Sequence, residues 1–155
     1  MKLWHSLASN RVQMANYYVP SSLRQLVRER AQGRCEYCLS PESHATGNFS
    51  IEHIQPRDAG GLTEADNLAL SCQSCNNFKH IKTNAYDSLS RQYVPLFHPR
   101  GDDWDVHFTW TPDEAHLIGL TPTGRATINM LRLNREGVVN LRRLLMLIGR
   151  HPPQR

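Results

Sequence analysis

Cys35-Glu36-Tyr37-Cys38, Ile51-Glu52-His53-Ile54, Asp66-Asn67-Leu68 and Cys72-Gln73-Ser74-Cys75-Asn76-Asn77-Phe78-Lys79 together form the stretch whose reading decides the fold. Its outer parts are two Cys-x-x-Cys pairs separated by 33 residues, and they use all four cysteines of the chain. Each pair presents two thiolates to one ion, and two pairs complete a closed tetrahedral zinc site with no open position. Two local disulfides or a redox pair are the alternatives. The use of every cysteine in two matched pairs favours a structural Zn²⁺ at Cys35, Cys38, Cys72 and Cys75.

Between the pairs, Phe49 to Ile54 alternates as a strand does, Pro56 and Gly60-Gly61 break it, and Asn67 to Ser71 reads as the returning strand. The second pair opens a helical stretch to about Lys82. Upstream, Ser21 or Ser22 caps a helix over 22–32 that Gly33 ends. Downstream, Pro95, Pro99 and Gly101 punctuate a loop. Trp104 to Trp110 reads as a strand, Thr111-Pro112-Asp113-Glu114 as a turn, and His116 to Leu120 as a second strand. Thr121 or Thr123 caps a helix to about Leu133, and Asn134 caps a last one that stops at Gly149. The expected class is α+β: a zinc-stapled strand–loop–strand–helix core with a C-terminal hairpin and two helices. The expected organisation is a flexible segment at 1–20, in which Met14 offers an internal start and residues 1–13 a leader. A core at 21–83 and an extension at 84–155 packed on it follow.

The chain has 155 residues, a net charge of +4, and 15 arginines against three lysines. That bias suits phosphate contacts but equally a solvated basic surface. No apolar run reaches the roughly 20 residues of a membrane span, and Met1 to Ser6 has no secretion-signal core. The expected setting is a reducing cytoplasm, where paired cysteines bind metal rather than each other.

The residues between the cysteine pairs carry chemistry. Hydrolysis of a phosphodiester needs an activated water, a cation against the developing charge and a stabilised leaving oxygen. His53 has the intrinsic pKa of a general base near neutrality. Glu52 offers a hard oxygen for Mg²⁺, and Asn76 a second oxygen from the helix. Asn76, Lys79 and His80 stand at i, i+3 and i+4, one helical face, so Lys79 and His80 are candidates to touch phosphate. Asn67 is expected to orient the His53 ring by hydrogen bond. One tension is built in: neighbouring strand residues point to opposite faces. Glu52 and His53 therefore share a site only if the strand ends or twists there.

In order, type and spacing, Ile51-Glu52-His53-Ile54, Gly60-Gly61, Asp66-Asn67-Leu68 and Cys72-x-x-Cys75-Asn76-x-x-Lys79 resemble the zinc-stapled form of the HNH (ββα-metal, treble-clef-like) endonucleases. The resemblance spans about Cys35 to Lys82. It implies Glu52 as metal-binding acid, His53 as general base, Asn67 as the asparagine that positions it, and Asn76 as the last metal ligand. It also implies one Mg²⁺ or Mn²⁺ ion and cleavage of DNA to 3′-hydroxyl and 5′-phosphate ends, with RNA left open as substrate. Residues 94–100 and 119–125 look similar to an extension found in some bacterial HNH proteins.

Arg125, Arg132, Arg135, Arg142 and Arg143 either track a DNA backbone or form the solvated faces of two helices. Trp104, Phe108 and Trp110 are expected in the core. Val138, Leu141, Leu145 and Ile148 form a stripe better suited to core packing than to a dimer seam, although a homodimer stays open. The rival reading is a non-catalytic zinc-stapled nucleic-acid-binding module, which has no need of Glu52, His53, Asn67 and Asn76 together. A structural or regulatory protein that associates through its last helices is a second rival.

Overall fold

The computed structural model describes residues 18–154, so nearly all of the expected flexible segment, and the leader and start site proposed within it, lie outside the described residues. Helix α1, Ser21–Arg30, runs into the first cysteine pair. Pro20 stands at its N-cap with no side-chain cap, so the serines expected to cap it instead begin the helix. Gln32 and Gly33 turn the chain through positive φ, which suits the glycine better than the glutamine. Strands β1, Ser50–His53, and β2, Leu68–Ser71, pair antiparallel with Ile51 opposite Leu70 and His53 opposite Leu68. Helix α2, Gln73–Lys79, follows at once, and the Cys72 sulfur accepts the Cys75 N–H at its start. This is the expected strand–loop–strand–helix order. The helix is shorter than its sequence pattern because His80 takes positive φ and ends it.

The extension is richer than its sequence suggests. Strands β3, Asn84–Asp87, and β4, Gln92–Pro95, form a hairpin in a stretch for which the sequence suggested no strand. Pro95 reads as a breaker, yet at the last position of an edge strand it removes no needed hydrogen bond. Tyr86 and Tyr93 pair across this hairpin with ring centroids 5.4 Å apart. Trp104–His107 is a short helix, α3, with Asp103 accepting the Asp105 N–H at its start, and only Phe108–Trp110 is strand β5. It pairs with β6, Leu117–Gly119. Helix α4, Pro122–Leu131, is capped by the Thr121 hydroxyl, and α5 runs over Glu136–Leu147.

Asn134 does not cap α5. Its side-chain oxygen accepts the Leu117 N–H and its nitrogen donates to the Leu117 carbonyl, which braces β6. Gly124 sits where β6 and α4 meet, and a Cβ there would stand 2.1 Å from the His107 carbonyl oxygen.

One apolar cluster runs through both parts, from Val27, Leu68 and Leu70 to Phe97, Phe108, Leu131 and Leu133. Phe108 is in it, and Trp104 and Trp110 pack against it as expected. On α5, Val138 and Leu145 are buried while Ile148 is exposed, so most of the stripe faces the core. Among the described residues no helix is long and apolar enough to cross a membrane.

Candidate functional site

Four cysteine sulfurs meet in one buried pocket, all within 4.8 Å of one another, with Cys38 and Cys72 at 3.8 Å and none in a disulfide. A zinc–thiolate tetrahedron has edges of about 3.8 Å, from Zn–S bonds of about 2.3 Å, so the donor set fits Zn²⁺. Burial pushes the Cys35 thiol up, whereas hydrogen bonds from the neighbouring thiols hold Cys72 down to about 7. A cation would let all four ionise together.

The extension supplies the opposite charge. Arg135 donates to the Cys72 sulfur at 3.4 Å and to the Cys75 sulfur at 3.6 Å. Arg142, 2 % exposed, donates to the carbonyls of Cys38, Leu133 and Ala115. Arg125 makes a two-point ion pair with Asp87 at 2.7 and 3.0 Å, and Arg132 lies over the Phe78 ring. Of the five arginines considered for a DNA backbone, Arg125, Arg135 and Arg142 are engaged in ion pairs or hydrogen bonds within the fold, while Arg132 and Arg143 are exposed.

Below the zinc pocket, β1 stays regular through His53, and the expected parity problem is resolved in favour of the pleat. Glu52 points inward and His53 to the other face. The Glu52 side chain is 4 % exposed. Its Oε2 pairs with Lys79 Nζ at 3.0 Å, and its Oε1 accepts the Tyr37 hydroxyl. Burial pushes its pKa up, and Lys79 opposes that. Lys79 also donates to the carbonyls of Ile54 at 2.9 Å and His53 at 3.3 Å.

Three residues are placed differently from what their expected roles ask. Lys79 does not reach out for phosphate, because its ammonium is buried and ties α2 to the end of β1. Glu52, with both oxygens engaged, does not fit an open ligand of a divalent cation. His80 lies beyond the helix at positive φ, off the helical face of Asn76.

A buried pair broken on one side leaves an uncompensated charge, at a cost of about 3–5 kcal/mol. Lys79→Met is therefore expected to lower unfolding stability by about that amount in denaturant titration. The double variant with Glu52→Gln should recover most of the loss, since it removes both charges. A single variant within about 1 kcal/mol of wild type would contradict this placement, given the usual cost of such a break.

His53 is half-buried, and its Nε2 lies 2.9 Å from the Thr63 hydroxyl. Its Nδ1 makes no hydrogen bond among the described residues. Burial, then Arg57 and Lys79, hold its pKa below the usual imidazole value, so the ring is neutral at physiological pH. Asn67 does not touch the ring. Its Oδ1 accepts the Gln55 N–H at 2.8 Å, and its Nδ2 donates to the carbonyls of Gln55 at 3.0 Å and Leu62 at 2.8 Å. It thus closes the loop between the two strands on itself. A Cβ on Gly61 would fall 1.8 Å from the Gln55 carbonyl oxygen and 2.8 Å from the Asn67 amide, so only glycine admits the clamp. Gly60, at φ 87°, makes the turn into it.

Asn76 lies on α2, half-buried, and its amide makes no hydrogen bond among the described residues. Thr63 and Arg57, whose guanidinium donates to the Thr63 hydroxyl, went unnoticed in the sequence. A hydroxyl two residues beyond a Gly-Gly turn carries no chemical signature of its own.

A hairpin and helix joined at a four-cysteine cluster that fits zinc thus present one neutral histidine and one asparagine amide with no hydrogen bond among the described residues. Residues 35–82, about a third of the chain, match the family model described as HNH endonuclease. The match suggests nuclease chemistry on a nucleic acid. No curated protein and no solved structure matches the chain.

Proposed function

We propose that this chain is a DNA endonuclease in which neutral His53 takes a proton from water as the resulting hydroxide attacks phosphorus. As the family likeness implies, the P–O3′ bond breaks: O3′ leaves with the bonding pair and takes a proton from solvent to become the 3′-hydroxyl, while the P–O5′ bond stays intact and leaves a 5′-phosphate. The observation that carries the reading is the His53 ring itself. It stands at the end of a braced strand, fixed through one nitrogen, with the other nitrogen unengaged among the described residues. A general base needs that arrangement: held in place, neutral, and open on one side.

Dependence on Mg²⁺ or Mn²⁺ belongs to this reading through the family likeness and the open amide of Asn76. As Glu52 is placed, both its oxygens are engaged, by Lys79 and by Tyr37. The closed Glu52 is also the one observation that favours the rival, a nucleic-acid-binding module without catalysis.

Supercoiled plasmid incubated with the purified protein separates the two. Under the proposal, nicked or linear DNA forms with Mg²⁺ or Mn²⁺ and not with EDTA, while zinc analysis confirms that the structural ion is retained throughout. Retained DNA binding with no product in any metal supports the module instead. The same gel reports strand count, because a lone site nicks, whereas linear product asks for two sites and hence for two chains.

A further inference from the structure

Three groups converge on the Thr63 side chain. Its hydroxyl oxygen receives an N–H from Arg57 and lies 2.9 Å from His53 Nε2. The residue before it, Leu62, is anchored by the Asn67 amide through its carbonyl at 2.8 Å. The Asn67 and Gly61 clamp therefore ends at Thr63, and Thr63 ends at the imidazole.

A hydroxyl has one proton and two acceptor positions. Arginine only donates, so Arg57 fills one acceptor position. The second is available to an imidazole N–H. If Nε2 carries the proton and donates, Nδ1 keeps its lone pair. If the hydroxyl donated to Nε2 instead, the ring proton would sit on Nδ1 and neither nitrogen would be open.

We propose that Thr63 is the positioning residue of His53: its oxygen accepts Nε2–H, fixes that tautomer and leaves Nδ1 as the nitrogen that receives the proton of water. The role that sequence spacing assigned to Asn67 thus falls to Thr63, and Asn67 acts one step further out, through the loop. This deepens the endonuclease reading and rests on it for its kinetic consequence. The tautomer itself does not depend on activity.

The test has two parts. The ring ¹⁵N shifts of His53 in the full chain should show the Nε2–H tautomer in wild type and Thr63→Ser. In Thr63→Val they should show a mixture of tautomers. An Nδ1–H ring in wild type, or an unchanged Nε2–H ring in Thr63→Val, overturns the assignment whether or not DNA is cut.

The second part is single-turnover plasmid cleavage. Thr63→Val should lower the rate about 10–100-fold, the usual effect of losing a partner that orients a functional histidine. The half-saturating DNA concentration should stay unchanged, and Thr63→Ser should restore the rate. In a His53→Ala background the valine should cost nothing further. An equal loss in that background would mean Thr63 serves only the fold. A wild type that never cuts DNA but keeps the Nε2–H tautomer would remove the endonuclease reading and leave the positioning contact standing.

Discussion

Chelating the zinc, or replacing Cys72 by serine, is expected to abolish cooperative unfolding of the whole described chain and not of the hairpin alone. Zinc held by four thiolates contributes apparent binding energies of about 10–16 kcal/mol in small domains, comparable to or above the entire stability of a domain this size. The pocket joins the turn after α1 to the start of α2, and Glu36 from the first pair accepts the Leu70 N–H at 2.8 Å. The extension hangs from the same place. Arg135 sits on two of the sulfurs, and Arg142 reaches the Cys38 carbonyl. With the ion gone, the buried sulfurs no longer ionise together or share a common partner, both arginines lose their anchor, and the shared apolar cluster opens at its centre.

The expected measurement is one zinc per folded chain by elemental analysis, with loss of the thermal transition on full chelation. Arg135→Ala should release zinc to a competing chelator about 10–100-fold more readily, since outer partners of metal ligands carry effects of that size. A metal-free chain that melts cooperatively at an unchanged temperature would contradict the zinc assignment.

The local parts of this architecture were legible in the sequence, and the parts that depend on distant partners were not. The two cysteine pairs, the strand order and the helix after Cys72 follow from spacing and alternation within a few residues. The inward turn of Glu52 was foreshadowed by strand parity. Its partners Lys79 and Tyr37 stand 27 and 15 residues away, and nothing in β1 announces them. The arginines of α4 and α5 have the pattern of a solvated basic face. Arg125 finds Asp87 only because the unexpected β3–β4 hairpin brings it there, and Arg142 is enclosed only because α5 packs on the zinc knuckle. Asn134 reads as a helix cap because asparagine before a helix usually is one. A strand edge two elements earlier claims it first.

The account places the chemistry on His53, and its acid–base behaviour is fixed by its surroundings. With its pKa held below the usual imidazole value by burial and then by Arg57 and Lys79, the ring is the neutral imidazole at neutral pH, with one nitrogen protonated and the other bare. The base must be unprotonated to act. The rate is therefore expected to stay flat through neutrality and to fall only on the acid side, below the ordinary histidine value of about 6.5. Asn67→Ala should lower activity less than loss of the ring itself, since Asn67 reaches the imidazole only through the loop and Thr63.

The most direct test of the central claim is the cleavage rate of His53→Ala against wild type on the same DNA, at saturating protein and neutral pH, with DNA affinity measured alongside. Removing a general base lowers a rate by about 10²–10⁴-fold. The account predicts a loss in that range with affinity unchanged within about threefold, because phosphate contacts rather than one neutral ring set affinity. A variant that cuts DNA at the wild-type rate would contradict it.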